Sequence, residues 1–479
     1  MQFQDSIIQS TLLNYFGYTQ FRDGQLEIIK QIVQKKDCLA ILPTGGGKSI
    51  CFQIPGLLFP GITIVISPLI SLMKDQVDRL NSKGISACYI SSLLEKQQLE
   101  STYQLLKLNK YKFVYIAPER LESKRFQSSI KNLRVSLLVI DEAHCINQWG
   151  DTFRPSYKKI VTHTKQLFKD IPTVAFTATA NKQVQKDISQ TLQLNNPFVH
   201  YKSFKRTNLF IEVIHCHNTT IKNLTLLRLL KKHKNQVGII YCATRKTTEK
   251  LAHYLNQFGF TCEYYHGGLD NSQKQQVQLA FCNSHTKIIV ATNAFGMGVD
   301  ISNIRFVVHY QIPGTIENYY QEIGRAGRDQ NFSYCYSFYC QSDTTIQYEL
   351  LKKFPKKIME FEKIKKLFLK KKCRSQQILE YFGEASEKCD SCDVCNRTSY
   401  PTQLQIHITS TELLIIQHIL SVRSKNKKIH RRFPITDTAT AFLAILKPKT
   451  EQGCMMIPGI GIGFVSVWFL QIQHILAVK

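Results

Sequence analysis

Acidic side chains are scarce in this chain of 479 residues: 35 Asp and Glu stand against 62 Lys and Arg, a formal net charge of +27. That imbalance calls for a polyanionic partner, nucleic acid foremost, with a membrane surface or plain solvation as the simpler readings. Tryptophan is scarcer still, with two copies, so a tryptophan placed in a loop asks for a reason. The N-terminal "MQFQDSIIQS" lacks a basic segment followed by an apolar core, and nothing in it suggests secretion. Without an export signal, the 15 cysteines read as reduced thiols that bind metal where they cluster. Low-complexity linkers are also missing, which leaves changes of pattern as the only guide to domain boundaries.

What the chain does have is a repeated grammar of short apolar runs followed by small or polar loops. Between residues 38 and 180 the runs are "CLAIL", "ITIVIS", "KFVYIA", "SLLVI" and "TVAFT". Strands buried on both faces read this way, and amphipathic stretches such as "LISLMKDQVDRL" between them suggest crossover helices. The pattern restarts after "SFKRTNL" (203–209) with "VGIIYCATR", "KIIVATNAFGMG" and "RFVVHYQIP", predicting a second α/β lobe. Open parallel sheets place ligands at the carboxyl ends of their strands, where these loops fall.

The loop "LPTGGGKSICFQI" follows the first run and leads into a helix. Thr44, Gly45, Gly46 and Gly47 let backbone N–H groups turn toward phosphate oxygens at a helix N-terminus. Lys48 would reach the β- and γ-phosphates, and the Ser49 hydroxyl would ligate Mg²⁺. Leu42 stands where the strict GxxxxGKS pattern has its first glycine. In "LLVIDEAH", Asp141 at a strand end can hold the Mg²⁺ shell while Glu142 orients and deprotonates a water. Phosphate loop and acid pair are expected on neighbouring strands.

Together with "FTATA" (176–180), "ATNAFGMGVD" (291–300) and "YYQEIGRAGRD" (319–329), these motifs resemble in order those of superfamily 2 helicases. The RecQ family of DNA helicases is the best match, over residues 10 to about 396. The resemblance implies that in "FGYTQFRDGQ" Tyr18 and Arg22 sandwich adenine and Gln25 hydrogen-bonds its edge. It implies catalytic parts for Gln321, Arg325 and Arg328, the two arginines reaching the γ-phosphate when the lobes close over ATP. An arginine so delivered is worth roughly 10³ to 10⁵ in rate in related nucleotide hydrolases.

In "HCINQWGDTFRPSY" (144–157), Trp149, Phe153 and Arg154 follow the acid pair by a few residues. Aromatic and guanidinium planes are what single-stranded bases stack on, so the loop reads as a sensor coupling DNA occupancy to hydrolysis. An aromatic cluster closing a cleft is the plainer alternative. Asp151 and Thr152 depart from the family's His-Asp. Segments "SPLISLMKDQV", "APERL" and "YCATR" through "YHGGLD" are expected to touch the nucleic acid backbone without reading sequence.

Cys373, Cys389, Cys392 and Cys395 fall at a C-x15-C-x2-C-x2-C spacing that suits a closed tetrahedral zinc site. The signature "CR…YFGE…C…C…C" also resembles the RecQ zinc module, and the basic stretch before Cys373 would then lie along duplex DNA. Residues 452–478 carry no formally charged side chain at neutral pH. A membrane segment is one reading of that tail, broken by Pro458 and its neighbouring glycines; a shortened, divergent C-terminus is the one adopted here.

The expected architecture is therefore α/β: two tandem RecA-like parallel-sheet lobes (1–202 and 203–345), a small helical zinc-binding module (346–400) and a short divergent C-terminal region (401–479) that could retain a helical DNA-binding remnant. The expected function is an ATP-dependent 3′ to 5′ DNA helicase acting in recombination and repair, with ATP, Mg²⁺ and Zn²⁺ as cofactors. Its partners would be single-stranded and duplex DNA, with no membrane, as a cytoplasmic monomer. The alternative is a DNA-stimulated ATPase, translocase or annealing protein that lacks robust unwinding because its C-terminus is altered.

Overall fold

The computed structural model describes residues 4–43, 45–68, 70–91, 94–148, 160–168, 171–296, 301–396, 410–428, 435–457 and 459–477. They form two units. One comprises Met1–Lys205 with Gly296–Asp300 and Ile378–Ser386; the other comprises Arg206–Phe295, Ile301–Gln377 and Glu387–Lys479.

The first unit is built on seven strands: β1 (Cys38–Ile41), β2 (Ile62–Ile66), β3 (Ala87–Ile90), β4 (Phe113–Ile116), β5 (Val135–Ile140), β6 (Thr173–Thr177) and β7 (Phe198–Tyr201). All pairings are parallel, in the order β3-β4-β2-β5-β6-β1-β7. The five apolar runs of the sequence are β1, β2, β4, β5 and β6. The two strands without such a run, β3 and β7, lie at the sheet edges, where one side of the ladder is open and apolar character is not demanded. The order corrects one expectation: β1, which precedes the phosphate loop, and β5, which precedes the acid pair, are not neighbours. β6 lies between them and brings "FTATA" to the same end of the sheet. Chain order cannot show this insertion, because a crossover connection lets a later strand enter between earlier ones.

The second unit has β8 (Leu209–His215), β9 (Gly238–Tyr241), β10 (Cys262–Tyr265), β11 (Ile288–Ala291), β12 (Phe306–His309) and β13 (Ser333–Tyr339). These are again all parallel, in the order β10-β11-β9-β12-β13-β8. The edge strand β8 is extended by the cysteine loop: Ile211 N–H donates to Ser391 O (3.0 Å) and Asp393 N–H donates to Ile211 O (3.0 Å). Arg374 locks that loop, donating to both Asp393 carboxylate oxygens through Nε (2.9 Å) and Nη2 (3.0 Å) while its Nη1 holds Leu367 O (2.6 Å). A planar fork with five donors suits a bidentate carboxylate and a helix-end carbonyl at once.

The segment Ile378–Ser386, the end of the helix Arg374–Tyr381 and the loop after it, sides with the first unit. The Glu384 carboxylate accepts from Tyr201 Oη (2.6 Å), Phe204 N–H (3.0 Å) and Ser203 Oγ, and Phe382 stacks on Phe204 with centroids 4.3 Å apart. The segment just before the unit boundary is thereby tied by three donors to one carboxylate.

The uncharged tail has a structural explanation. Helices Ser410–Lys428, Asp437–Leu446, Glu451–Met455 and Ile462–Leu476 follow the cysteine module. Phe464, Val465, Trp468, Ile472 and Ile475 of the last one join Leu443 in the same core cluster as Leu227, Leu230, Tyr254 and Leu255 of the second lobe. Each large apolar side chain so buried stabilises the fold by about 1.5–3 kcal/mol. Among the described residues no helix is long and apolar enough to cross a membrane.

Candidate active site and zinc centre

The phosphate loop owes its shape to glycine. Gly45 (φ 83°) and Gly47 (φ 78°) take left-handed conformations, and a Cβ on Gly46 would lie 2.9 Å from Pro43 O. Gly47 caps the helix Lys48–Leu58, so Lys48 and Ser49 open its first turn. Thr44 lies outside the described residues. The Lys48 ammonium donates to Glu142 Oε1 at 3.2 Å. Glu142 itself has φ 49°, a left-handed conformation that costs a non-glycine residue of order 1–3 kcal/mol and marks functional sites.

The electrostatics separate the two acids. Burial pushes the Asp141 carboxyl up, neighbouring Glu142 adds to it, and the group reaches about 6. Burial opposes charge on Glu142 as well, but Lys48 and His144 outweigh it and hold that carboxyl well below the usual range. Two part-exposed carboxylates with oxygens beside the phosphate loop are the ligand type a hard divalent cation takes.

His144, to which the sequence reading gave no role, joins the acid pair to "FTATA". Its Nδ1 lies 3.2 Å from Glu142 Oε2 and 3.0 Å from Thr177 Oγ1 of "FTATA". Burial disfavours charge on the ring, yet the Cys145 sulfur and the Glu142 carboxylate prevail and push it up to about 10. Thr177 Oγ1 in turn accepts from Thr179 N–H at 3.2 Å. Adjacency to the acid pair was the only signal in the sequence; the partner strand comes from topology.

Of the adenine segment, Tyr18 is 56% exposed. Gln25 is buried with both ends of its amide engaged: Oε1 accepts from Arg22 N–H (2.8 Å), and Nε2 donates to Gly47 O (3.1 Å). Arg22 Nη1 donates to Gly45 O. The segment thus grips the carbonyls of the phosphate loop.

In the second unit, Gln321 lies on the helix Ile316–Ile323, and the loop after it carries Arg325 and Arg328. Arg325 is buried. Glu322 anchors this helix through His309 at the end of β12, Nε2 to Oε2 2.8 Å, and the His309 ring stacks on Tyr241 of β9. Of the other segments expected to touch nucleic acid, "SPLISLMKDQV" and "APERL" begin directly after β2 and β4, and "YCATR" and "YHGGLD" begin on the last residues of β9 and β10, at the carboxyl ends of their sheets. Trp149, Phe153 and Arg154 lie outside the described residues.

Cys373, Cys389, Cys392 and Cys395 offer four sulfurs within 4.8 Å of one another, with Cys373 and Cys389 3.4 Å apart. Tetrahedral zinc with Zn–S near 2.3 Å sets sulfurs roughly 3.8 Å apart, so the cage fits the ion. Hydrogen bonding from Cys389 holds the Cys392 thiol down, to about 5, against burial. One zinc per chain is expected by elemental analysis, and Cys392→Ser should emerge substoichiometric after dialysis against a chelator. Full zinc retention would remove Cys392 from the ligand set.

Tandem parallel sheets that present a phosphate loop, an acid pair and an arginine loop at strand ends are the architecture of nucleotide-driven helicases. The solved structure of S. cerevisiae Dbp5 bound to RNA and ADP BeF3 shares this fold, with a TM-score of 0.60 at 19% identity over 77% of this chain and all of that one. Family models match in order: DEAD/DEAH box helicase over 22–188, helicase conserved C-terminal domain over 221–330, and RecQ zinc-binding over 300–396. The Bacillus subtilis ATP-dependent DNA helicase RecQ is 42% identical over 398 residues, 81% of this chain and 67% of the relative. An Acanthamoeba polyphaga mimivirus protein named as an ATP-dependent RNA helicase, R290, is 40% identical over 436 residues, 88% of this chain and 78% of the relative. The chain belongs to the RecQ family of ATP-dependent DNA helicases. It spans between 61% and 67% of the length of the bacterial RecQ relatives it matches.

Proposed function

We propose that this protein uses ATP hydrolysis to move 3′ to 5′ along single-stranded DNA and to separate duplexes during recombination and repair, acting as a cytoplasmic monomer. The observation that carries the reading is the Lys48–Glu142 pair at the carboxyl end of the first sheet. With Lys48 on Glu142 the carboxylate is a weak base. Once Lys48 turns to the β- and γ-phosphates, Glu142 loses one of its two cationic partners and keeps His144, so its proton affinity climbs and it can take a proton from the attacking water. Ser49 and Asp141 would hold Mg²⁺, which neutralises phosphate charge when bound. Arg325 and Arg328 stabilise the charge that develops on transfer, and Gln321 orients the reacting groups. Tyr18 and Arg22 stack on the base and Gln25 reads its edge; where its amide nitrogen donates to the base it gives up a carbonyl of the phosphate loop, which links nucleotide arrival to that loop.

Trp149, Phe153 and Arg154 are read as the DNA-sensing loop. In Trp149→Ala, DNA stimulation of hydrolysis should fall while basal hydrolysis stays, and equal loss of both would refute that role. The tail helices share the core of the second lobe, which favours a second reading: a DNA-stimulated ATPase, translocase or annealing protein that lacks robust unwinding. Strand separation on duplexes with a 3′ or a 5′ single-stranded tail, with ATP hydrolysis followed in the same samples, decides between them. Unwinding of the 3′-tailed duplex alone supports the helicase, and DNA-stimulated hydrolysis without unwinding supports the second reading.

A further inference from the structure

The two arginines of the second unit sit on a short irregular loop, and such a loop holds a catalytic geometry only if its peptide planes are fixed. Backbone bonds from Gly327 N–H to Ile304 O (3.0 Å) and Asp329 N–H to Ser302 O (3.3 Å) fix part of it, and one side chain holds three of its carbonyls. Arg206, the first residue of the second unit, donates through Nη1 to Gly324 O (3.5 Å) and through Nη2 to Ala326 O (3.0 Å) and Gly327 O (3.1 Å). The carbonyls of Gly324 and Gly327 belong to the peptides immediately preceding Arg325 and Arg328. Asn208 completes the brace, accepting from Arg206 Nε (3.3 Å) and donating to Gly327 O (2.8 Å) and Asn331 O (3.1 Å). The loop is seated closely: Gly327 has φ 58°, and a Cβ there would lie 2.5 Å from Asn208 Nδ2. Gly324 also ends the helix Ile316–Ile323, where a cation meets the negative end of the backbone dipole.

We infer that Arg206 is a positioning residue for hydrolysis: its guanidinium, braced by Asn208, orients the peptides that aim Arg325 and Arg328. It touches neither substrate nor metal and acts through the carbonyls it holds. The inference rests on the reading of Arg325 as a group that stabilises the transferring phosphate. A misaimed arginine loses transition-state stabilisation and leaves ATP binding largely intact, so the signature is a fall in kcat at unchanged KM.

The test is steady-state, DNA-stimulated ATP hydrolysis by the full chain carrying Arg206→Gln, Arg206→Lys, Asn208→Ala, Arg325→Ala or the pair Arg206→Gln with Arg325→Ala. Arg206→Gln should lower kcat at least tenfold with KM for ATP within twofold. Arg206→Lys should recover only part of it, because a point charge cannot span three carbonyls. Asn208→Ala should lower kcat several-fold, which keeps the idea testable if Arg206→Gln folds poorly. In the Arg325→Ala background, Arg206→Gln should lower kcat by a smaller factor than in the native chain, the remainder being the share that runs through Arg328. Wild-type kcat in both Arg206→Gln and Asn208→Ala, with Arg325→Ala inactive, overturns the positioning role and leaves the arginine reading standing. Parallel loss of kcat and rise of KM, or full additivity in the pair, reduces Arg206 to a structural brace and overturns it too. Undiminished turnover in Arg325→Ala overturns the underlying reading instead.

Discussion

Glu142→Gln is expected to bring ATP hydrolysis down by about 10²–10⁴, to the background rate, while ATP still binds. The substitution is nearly isosteric and keeps an oxygen that can accept from Lys48, whose ammonium lies 3.2 Å from the native carboxylate. What it removes is the ability to take up a proton. On the proposed reading the phosphate loop and the Tyr18 segment set nucleotide affinity, so a fluorescent ATP analogue should bind within a few-fold of the native protein. The separation of the two readouts is the point. Unchanged turnover would transfer the base role elsewhere; loss of binding would mean the Lys48–Glu142 pair holds the loop in shape.

The largest expected effect on stability lies far from the nucleotide. In the second unit the Lys222 ammonium makes bonds of 3.0 and 2.9 Å to both oxygens of Asp343, with both side chains almost wholly buried, and it also sits 4.1 Å above the Tyr310 ring. Lys222→Met strands a carboxylate in the core, which costs about 3–5 kcal/mol, whereas Lys222→Met with Asp343→Leu should recover most of it. The first transition in thermal unfolding reads both. Burial pushes the Asp343 carboxyl up even opposite the lysine, and without the lysine it rises further. Because its folded value then exceeds the unfolded one, the penalty in Lys222→Met is largest above the folded value and shrinks as pH falls through it toward the ordinary carboxylate range. A destabilisation equal at both ends of that range would show lost packing as the cause. A double variant as weak as the single would show the same.

Much of the candidate site was legible because its chemistry is local in sequence. Gly45, Gly47, Lys48 and Ser49 form one turn and one helix start, so spacing along the chain is spacing in space. The same holds for Asp141 with Glu142, and for Cys389, Cys392 and Cys395 in two short loops. The five apolar runs of the first lobe became strands because a strand covered on both faces must be apolar throughout. Edge strands β3, β7 and β10 carry no such demand and gave no such signal. In β8 and β13, glutamate, serine and tyrosine interrupt the apolar run, and buried Ser333 and Ser337 mask the strand.

What the sequence determined by itself is therefore the chemistry: a phosphate cradle, an acid pair, an arginine loop and a four-thiol cage, each fixed by residues a few positions apart. The tertiary structure alone decided how these pieces are held. It put β6 between the phosphate-loop strand and the acid-pair strand, and so brought Thr177 to His144. It set Arg206 against carbonyls 118 to 121 positions away, and tied Glu384 to the segment before the unit boundary. It also turned the uncharged tail into core for the second lobe. The physical reason is common to all of them. Periodicity and motif spacing report which face of a segment wants burial and which chemistry it carries, but a buried face or a side-chain donor accepts many partners, and only closure of the sheets and helices selects one.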